Sequence, residues 1–292
     1  MTKNSISPEK KILAKKFAGP SQLFHKKGKV DLSWDDEGVL PKILSLDTEF
    51  VFQRMTEETL QAVDAEKGSV VLDVACGRAI DAVSLAKKGV VIYGCDPSAI
   101  MLCKAKEWVK NSGQIVTLVR SLAEDLPFRQ EVFSRVYCKG AIDHFANPER
   151  ALAEMCRVTK KGGKVIIAAA NLDSLSCTLA KGINSLFKFF LKREIALPHI
   201  WETPADHNFK FNYPTLQALG KIFLLKYRLK GVSLFWGFPK WAKFLKNLPR
   251  SWGLKILKIF DWWASWYAPW GDVLIMVGQP RKFGAEGREI RD

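Results

Sequence analysis

Two acid–imidazole pairs stand out in this chain, Asp143-His144 and Asp206-His207. An imidazole beside a carboxylate suits proton transfer near neutral pH. His144 is the first candidate for a general base, with a capping or orienting role before Pro148 as the plainer reading. His199, Glu202, Asp206 and His207 place two His, a Glu and an Asp within nine residues, more than a basic, aromatic segment requires. The two histidines are eight residues apart, which matches no metal-site spacing. Asp206-His207 is therefore read as an acid–base or substrate-orienting pair, and no metal site is expected.

Elements that could position such groups begin at Val70. Val70-Val71-Leu72-Asp73-Val74 is a continuous apolar run of the kind a buried parallel strand shows. It breaks into Ala75-Cys76-Gly77-Arg78-Ala79 and then a helix over 81–88. Small residues let backbone N–H groups approach a ligand, and a helix start favours negative charge. A second strand over 90–95 ends at Asp96, placed to accept two hydrogen bonds from a ribose diol. An acidic residue about 20 positions after a small-residue turn is the spacing of nucleoside-binding α/β folds. Strands over 115–120, 135–139 and 165–170 alternate with helices over 99–111 and 148–158, which predicts a doubly wound parallel sheet. Lys161-Gly162-Gly163-Lys164 is read as a turn, and further strands are expected over 232–236 and 273–278.

Four pieces in order carry a resemblance to a known family: Leu72 to Gly77, Gly94 to Ser98, Ala123 to Phe128, and Arg157 to Val165. The chain resembles a class I S-adenosylmethionine-dependent methyltransferase of the subgroup that acts on quinones and other small molecules. The resemblance covers residues 68–171 well and the rest loosely. It implies a Rossmann-like sheet of seven mostly parallel strands, with S-adenosylmethionine as cofactor. Asp73, Ala75, Cys76 and Gly77 would line the methionine end, Asp96 and Pro97 the ribose, and Leu122, Ala123 and Glu124 the adenine. Lys139 would approach the methionine carboxylate. Asp206 and His207, or His144, would handle the acceptor proton, and Tyr213 would touch the acceptor. Methyl transfer is an in-line displacement, so alignment matters most and can supply roughly 7–11 kcal/mol.

There are departures from the family pattern. Its Gly-x-Gly-x-Gly loop reads Ala75, Gly77, Ala79 here, and Arg78 brings a long cation toward the methionine end. Leu122 stands where an Asp often contacts adenine. A protein of this fold that binds S-adenosylmethionine without methylating is therefore one alternative reading. An RNA or nucleic-acid methyltransferase is the other. No Asn/Asp-Pro-Pro-Tyr/Phe motif follows the fourth strand, where Ala141-Ile142-Asp143-His144 stands instead, and this disfavours methylation of base amines.

The chain of 292 residues suits one α/β domain with additions. Its six cysteines form no CxxC pair and read as reduced core thiols of a cytoplasmic protein. No secretory leader and no transmembrane helix are expected. The net charge of +15 is uneven. Residues 1–30 carry eight Lys and one Glu, and residues 182–268 carry 14 basic and four acidic side chains, whereas residues 31–181 are near neutral. Four segments follow: a basic arm (1–40), a nucleoside-binding core (41–181), an acceptor-site cap with the last strands and a helical insertion (182–280), and a tail (281–292). A helix over 41–63 is expected to lie over the cofactor entrance.

Eight of the ten Trp lie between Trp201 and Trp270. Trp241, Phe244, Leu245 and Leu248 share one helix face. Trp252, Ile256, Ile259, Phe260, Trp263 and Tyr267 share another, with lysines between. Such a basic, aromatic insertion between strands six and seven suits peripheral association with the inner face of a membrane. Packing on the sheet, packing in a homodimer and contact with nucleic acid are the competing readings. The expected reaction is methylation of an oxygen or activated carbon on a small lipophilic acceptor: a quinone, prenylated aromatic or lipid-linked precursor.

Overall fold

The apolar run Val70–Val74 forms strand β1, an interior strand of a seven-stranded sheet in a computed structural model of the chain. Residues 23, 28–37, 44–191, 202–204 and 206–282 are described. Most of the arm, most of the tail, and residues 192–201, including His199 and Trp201, lie outside them.

Helix α1 (Leu46–Val63) leads into β1, α2 (Ile80–Ala86), β2 (Val91–Asp96), α3 (Ala99–Ser112), β3 (Val116–Arg120) and β4 (Phe133–Lys139). A 3₁₀ turn over Ile142–His144 precedes α4 (Pro148–Val158), β5 (Thr159–Ala170) and α5 (Leu175–Leu191). Then come α6 (Tyr213–Phe223), β6 (Leu224–Val232), α7 (Trp241–Lys246), α8 (Arg250–Trp266), a 3₁₀ turn over Ala268–Trp270 and β7 (Val273–Pro280). The strand order is β3-β2-β1-β4-β5-β7-β6. Strands β1 to β5 pair in parallel, and β7 runs antiparallel between β5 and β6. Burial on both faces explains why the central strands read as unbroken apolar runs.

The Leu126–Phe128 loop is fixed by a buried ion pair. Arg157 donates to Glu154 Oε1 at 2.7 Å and to the carbonyls of Phe128 and Leu126, while Leu126 N donates to Glu154 Oε2.

Three expectations are corrected. The sixth strand spans Leu224–Val232, so of residues 232–236 only Val232 belongs to it. Strand β6 lies at the sheet edge, where Lys226, Arg228 and Lys230 blunt further pairing and hide the strand pattern. Residues 161–164 belong to β5, across a bulge between the Phe133–Thr159 and Arg135–Lys164 pairings. All six cysteines are free, but Cys103 is exposed and Cys76 half-buried, so they are not all core thiols.

The insertion between β6 and β7, residues 233–272, carries α7 and α8 and rests on α1. Phe50, Leu245 and Leu257 form its small buried core. No described helix is long and apolar enough to cross a membrane.

Candidate active site

A cavity of about 1430 Å³ opens at the carboxyl ends of the parallel strands. Thirteen site residues nominated from the sequence line it: Asp73, Ala75, Cys76, Gly77, Asp96, Pro97, Leu122, Ala123, Glu124, Lys139, His144, Asp206 and His207. Helix α1 contributes Val51, Phe52 and Met55 to one wall. Tyr213 does not line the cavity and packs on the main core instead.

At one end the chain leaves β1 through a loop with three left-handed residues. Ala75, Gly77 and Ala79 have φ of 58°, 52° and 58°. Two alanines therefore hold a backbone conformation that favours glycine. The loop keeps its shape because Cys76 N donates to Cys95 O at 2.9 Å and Gly77 N donates to Asp96 Oδ2 at 3.0 Å. Asp96 Oδ1 accepts from Ser98 N at 2.9 Å. Burial pushes the Asp96 carboxyl up, and these two N–H donors oppose the shift. Each carboxylate oxygen keeps a lone pair for a further donor, such as a sugar hydroxyl.

The neighbouring carboxylates have other partners. Asp73 accepts from Tyr137 Oη at 2.7 Å, and burial, then nearby Asp81, push its pKa well up. Lys139 Nζ lies 2.5 Å from Asp81 Oδ2 and donates to Thr56 Oγ1. Glu124 Oε1 accepts from Ala146 N and Asn147 N, so that oxygen anchors the start of α4 rather than a base edge. A wall rich in carboxylates with small residues at the loop fits a cofactor that carries a sulfonium and an ammonium.

Arg78 lines the cavity, but its guanidinium is held by an acidic segment. It pairs with Asp36, as does Lys104, which also pairs with Asp35 and Glu37. The Arg78 guanidinium holds the Asp36 carboxyl down at about 2. Ser98 Oγ donates to Trp34 O at 2.7 Å. At the other end of the same segment, Lys29 N donates to Asn208 Oδ1 at 3.0 Å and Gly28 N to Ala146 O at 2.8 Å. Residues 28–37 therefore form a strap along the cavity, tied at both ends. Asp36→Asn is expected to speed dissociation of bound S-adenosylhomocysteine two- to fivefold, the roughly 0.5–1 kcal/mol of a partly exposed ion pair. Stopped-flow displacement measures it.

The far end holds Asp143, His144 and His207. Asp143 Oδ2 lies 2.8 Å from His207 Nδ1, off the direction of a straight hydrogen bond. The two imidazoles meet edge to face at 4.5 Å, and His144 Nδ1 contacts Asp206 O at 3.1 Å. Trp34 of the strap stands 5.8 Å from the His144 ring. Burial pulls the His207 pKa down, but Asp143 more than offsets this and holds it above the usual imidazole value. Burial likewise pushes Asp143 up, and His207 brings it below the usual carboxylate range. The two sites separated by 64 residues thus form one dyad. Ligand atoms of Asp143, His144 and His207 lie within 4.8 Å of one another, close enough to share a metal ion.

Sequence reading missed three contributors. Trp236 and Phe238 enter from the insertion, the strap lies across the cavity, and Asp272 sits at its floor. Burial raises Asp272 to about 7, although Ser176, Trp236 N and Ser174 bond to it. Its folded pKa exceeds its unfolded one, so its contribution to stability is full below about pH 4 and lost as pH rises through about 7. Asp272→Asn is expected to remove this part of the pH dependence, so the difference in denaturation midpoint between the two proteins changes steadily from pH 4 to 7. Equal slopes would overturn the assignment.

Comparison with known proteins agrees with this geometry. Residues 72–167 match a family model described as a methyltransferase domain. A demethylmenaquinone methyltransferase of Thermobifida fusca is 35% identical over 46% of this chain and 56% of its own length. Methyltransferase GfsG of Streptomyces halstedii is 30% identical over 46% of this chain and 51% of its own. The chain thus spans about half the length of these curated relatives. A crystal structure of a putative methyltransferase from Bacillus halodurans shares the fold, with a TM-score of 0.50 at 20% identity, over 77% of this chain and 98% of that one. Loop, acidic strand end, sheet order and family match converge on one stretch: residues 72–167, which match a methyltransferase domain and carry both the left-handed loop and Asp96.

Proposed function

We propose that the protein transfers a methyl group from S-adenosylmethionine to an oxygen or activated carbon of a small lipophilic acceptor. The observation that carries this reading is that a single cavity joins the Asp96 carboxylate to the Asp143–His207 dyad. The cofactor, when bound, supplies an electrophilic methyl on a positively charged sulfur. Asp96 holds the ribose hydroxyls, and the Ala75–Ala79 loop admits the backbone close to the methionine end. Leu122 and Ala123 offer an apolar surface to the adenine. His207, neutral above its raised pKa, takes the proton from the acceptor, and Asp143 orients the ring and stabilises the imidazolium. His144 and Trp34 shape the acceptor end.

Apolar walls from Phe52, Met55, Leu172, Trp236 and Phe238 favour a flat, greasy acceptor. The name of the Thermobifida fusca relative supports a quinol among such acceptors. Incubation with a naphthoquinol and S-adenosylmethionine, followed by mass spectrometry, is the test. Gain of one CH₂ on the acceptor with release of S-adenosylhomocysteine is expected. Tight cofactor binding with no product from quinols, phenols or prenylated aromatics would leave a non-methylating binder of this fold.

A further inference from the structure

Helix α8 is built the wrong way round for a helix that only covers a sheet. Its packed face is made of small or single aliphatic residues, Gly253, Leu257 and Ala264. A Cβ on Gly253 would come within 2.7 Å of Leu46, so the small residue lets α8 lie close on α1. The opposite face carries Trp252, Ile259, Trp262, Trp263 and Trp266, exposed at 64, 53, 51, 44 and 75%. Of the face predicted from the sequence, Trp252, Ile259, Trp263 and Tyr267 are exposed, whereas Ile256 is half-buried and Phe260 packs on Phe235 and Trp241. A soluble surface rarely carries so many large apolar side chains side by side without a partner.

The chemistry of the patch selects that partner. Exposed Lys240, Lys243, Lys246, Lys255 and Lys258 lie on the same insertion, and Lys255 stands on the aromatic face itself. Tryptophan beside lysine suits the boundary between lipid tails and headgroups, where the ring is half-buried and the cation meets phosphate. Trp270, 41% exposed, and the exposed Phe187, Phe189 and Phe190 of α5 extend the apolar surface, with the Ala268–Trp270 turn touching both α5 and α8. The residues just before α7, Trp236 to Lys240, line the cavity. The patch and the cavity wall are thus one insertion.

We infer that the outward face of α8 docks on an anionic lipid surface and sets the cavity beside it. Docking does not require methyl transfer, so it stands or falls separately from the reaction. The test is co-sedimentation of the full chain with vesicles of phosphatidylcholine containing about one-third phosphatidylglycerol. Binding is expected, with a blue shift of tryptophan fluorescence and weaker binding to phosphatidylcholine alone. Trp252→Ser, Trp262→Ser and Trp266→Ser combined should weaken it about a hundredfold while S-adenosylhomocysteine binding by calorimetry is kept. Lys255→Glu with Lys258→Glu, which spares the fold if the triple variant does not, should remove the preference for anionic vesicles. No vesicle binding by the full chain would overturn the inference, as would binding unchanged in both variants. A dimer or an RNA complex that the triple variant abolishes, with vesicles left unbound, would assign the face to a second copy or to nucleic acid instead.

Discussion

Asp96→Ala is expected to weaken S-adenosylhomocysteine binding by about a hundredfold or more. The side chain does two things. It accepts from Gly77 N and Ser98 N, which holds the left-handed loop against the start of α3. It also keeps a lone pair on each oxygen, which the proposed function assigns to the ribose hydroxyls. Hydrogen bonds to a charged group are worth about 1.5–3 kcal/mol each, and two lost to ligand exceed the 2.8 kcal/mol of a hundredfold change. Asp96→Asn separates the two roles, since one amide oxygen can still accept while the NH₂ faces a second N–H donor. An intermediate loss is expected there. Calorimetry reads both, and unchanged affinity in the alanine variant would remove the nucleoside assignment.

His207→Ala is expected to lower kcat by roughly 10²–10⁴, the range for loss of a positioned general base, with cofactor affinity unchanged. Asp143→Asn should retain more activity than His207→Ala and should move the pH profile. In the wild type the rate is expected to rise with pH as His207 loses its proton, with a midpoint above the ordinary imidazole value because Asp143 favours the charged ring. Removing that carboxylate shifts the midpoint to lower pH while lowering the plateau. A variant that lost activity only through disturbed packing would not shift the midpoint. His144→Ala leaves the dyad intact, so its effect should be the smaller one.

Much of this was legible in the residues, and the exceptions have physical causes. The β-branched run at Val70, the small-residue loop and Asp96 lie within one strand–helix–strand unit, where short-range spacing fixes geometry. The strap did not read as part of the site, because Asp36 meets Arg78 across 42 positions and no local pattern encodes that contact. Its acidic run from Asp31 to Glu37, set in an otherwise basic arm, is the one signal that was there. Strand β6 escaped because an edge strand can carry lysines where a central one cannot. For α8 the periodicity showed an apolar face but not which way it points. Gly253 and Ala264 on the opposite face were the clue, since close helix packing needs small residues.

The strap also bears on ligand exchange. It is pinned near Ser98 and Lys104 over the nucleoside end, and its Trp34 stands against the His144 ring. Partly exposed ion pairs fasten it, so screening by salt weakens the fastening. Under the proposed function, release of the spent nucleoside is therefore expected to quicken as ionic strength rises.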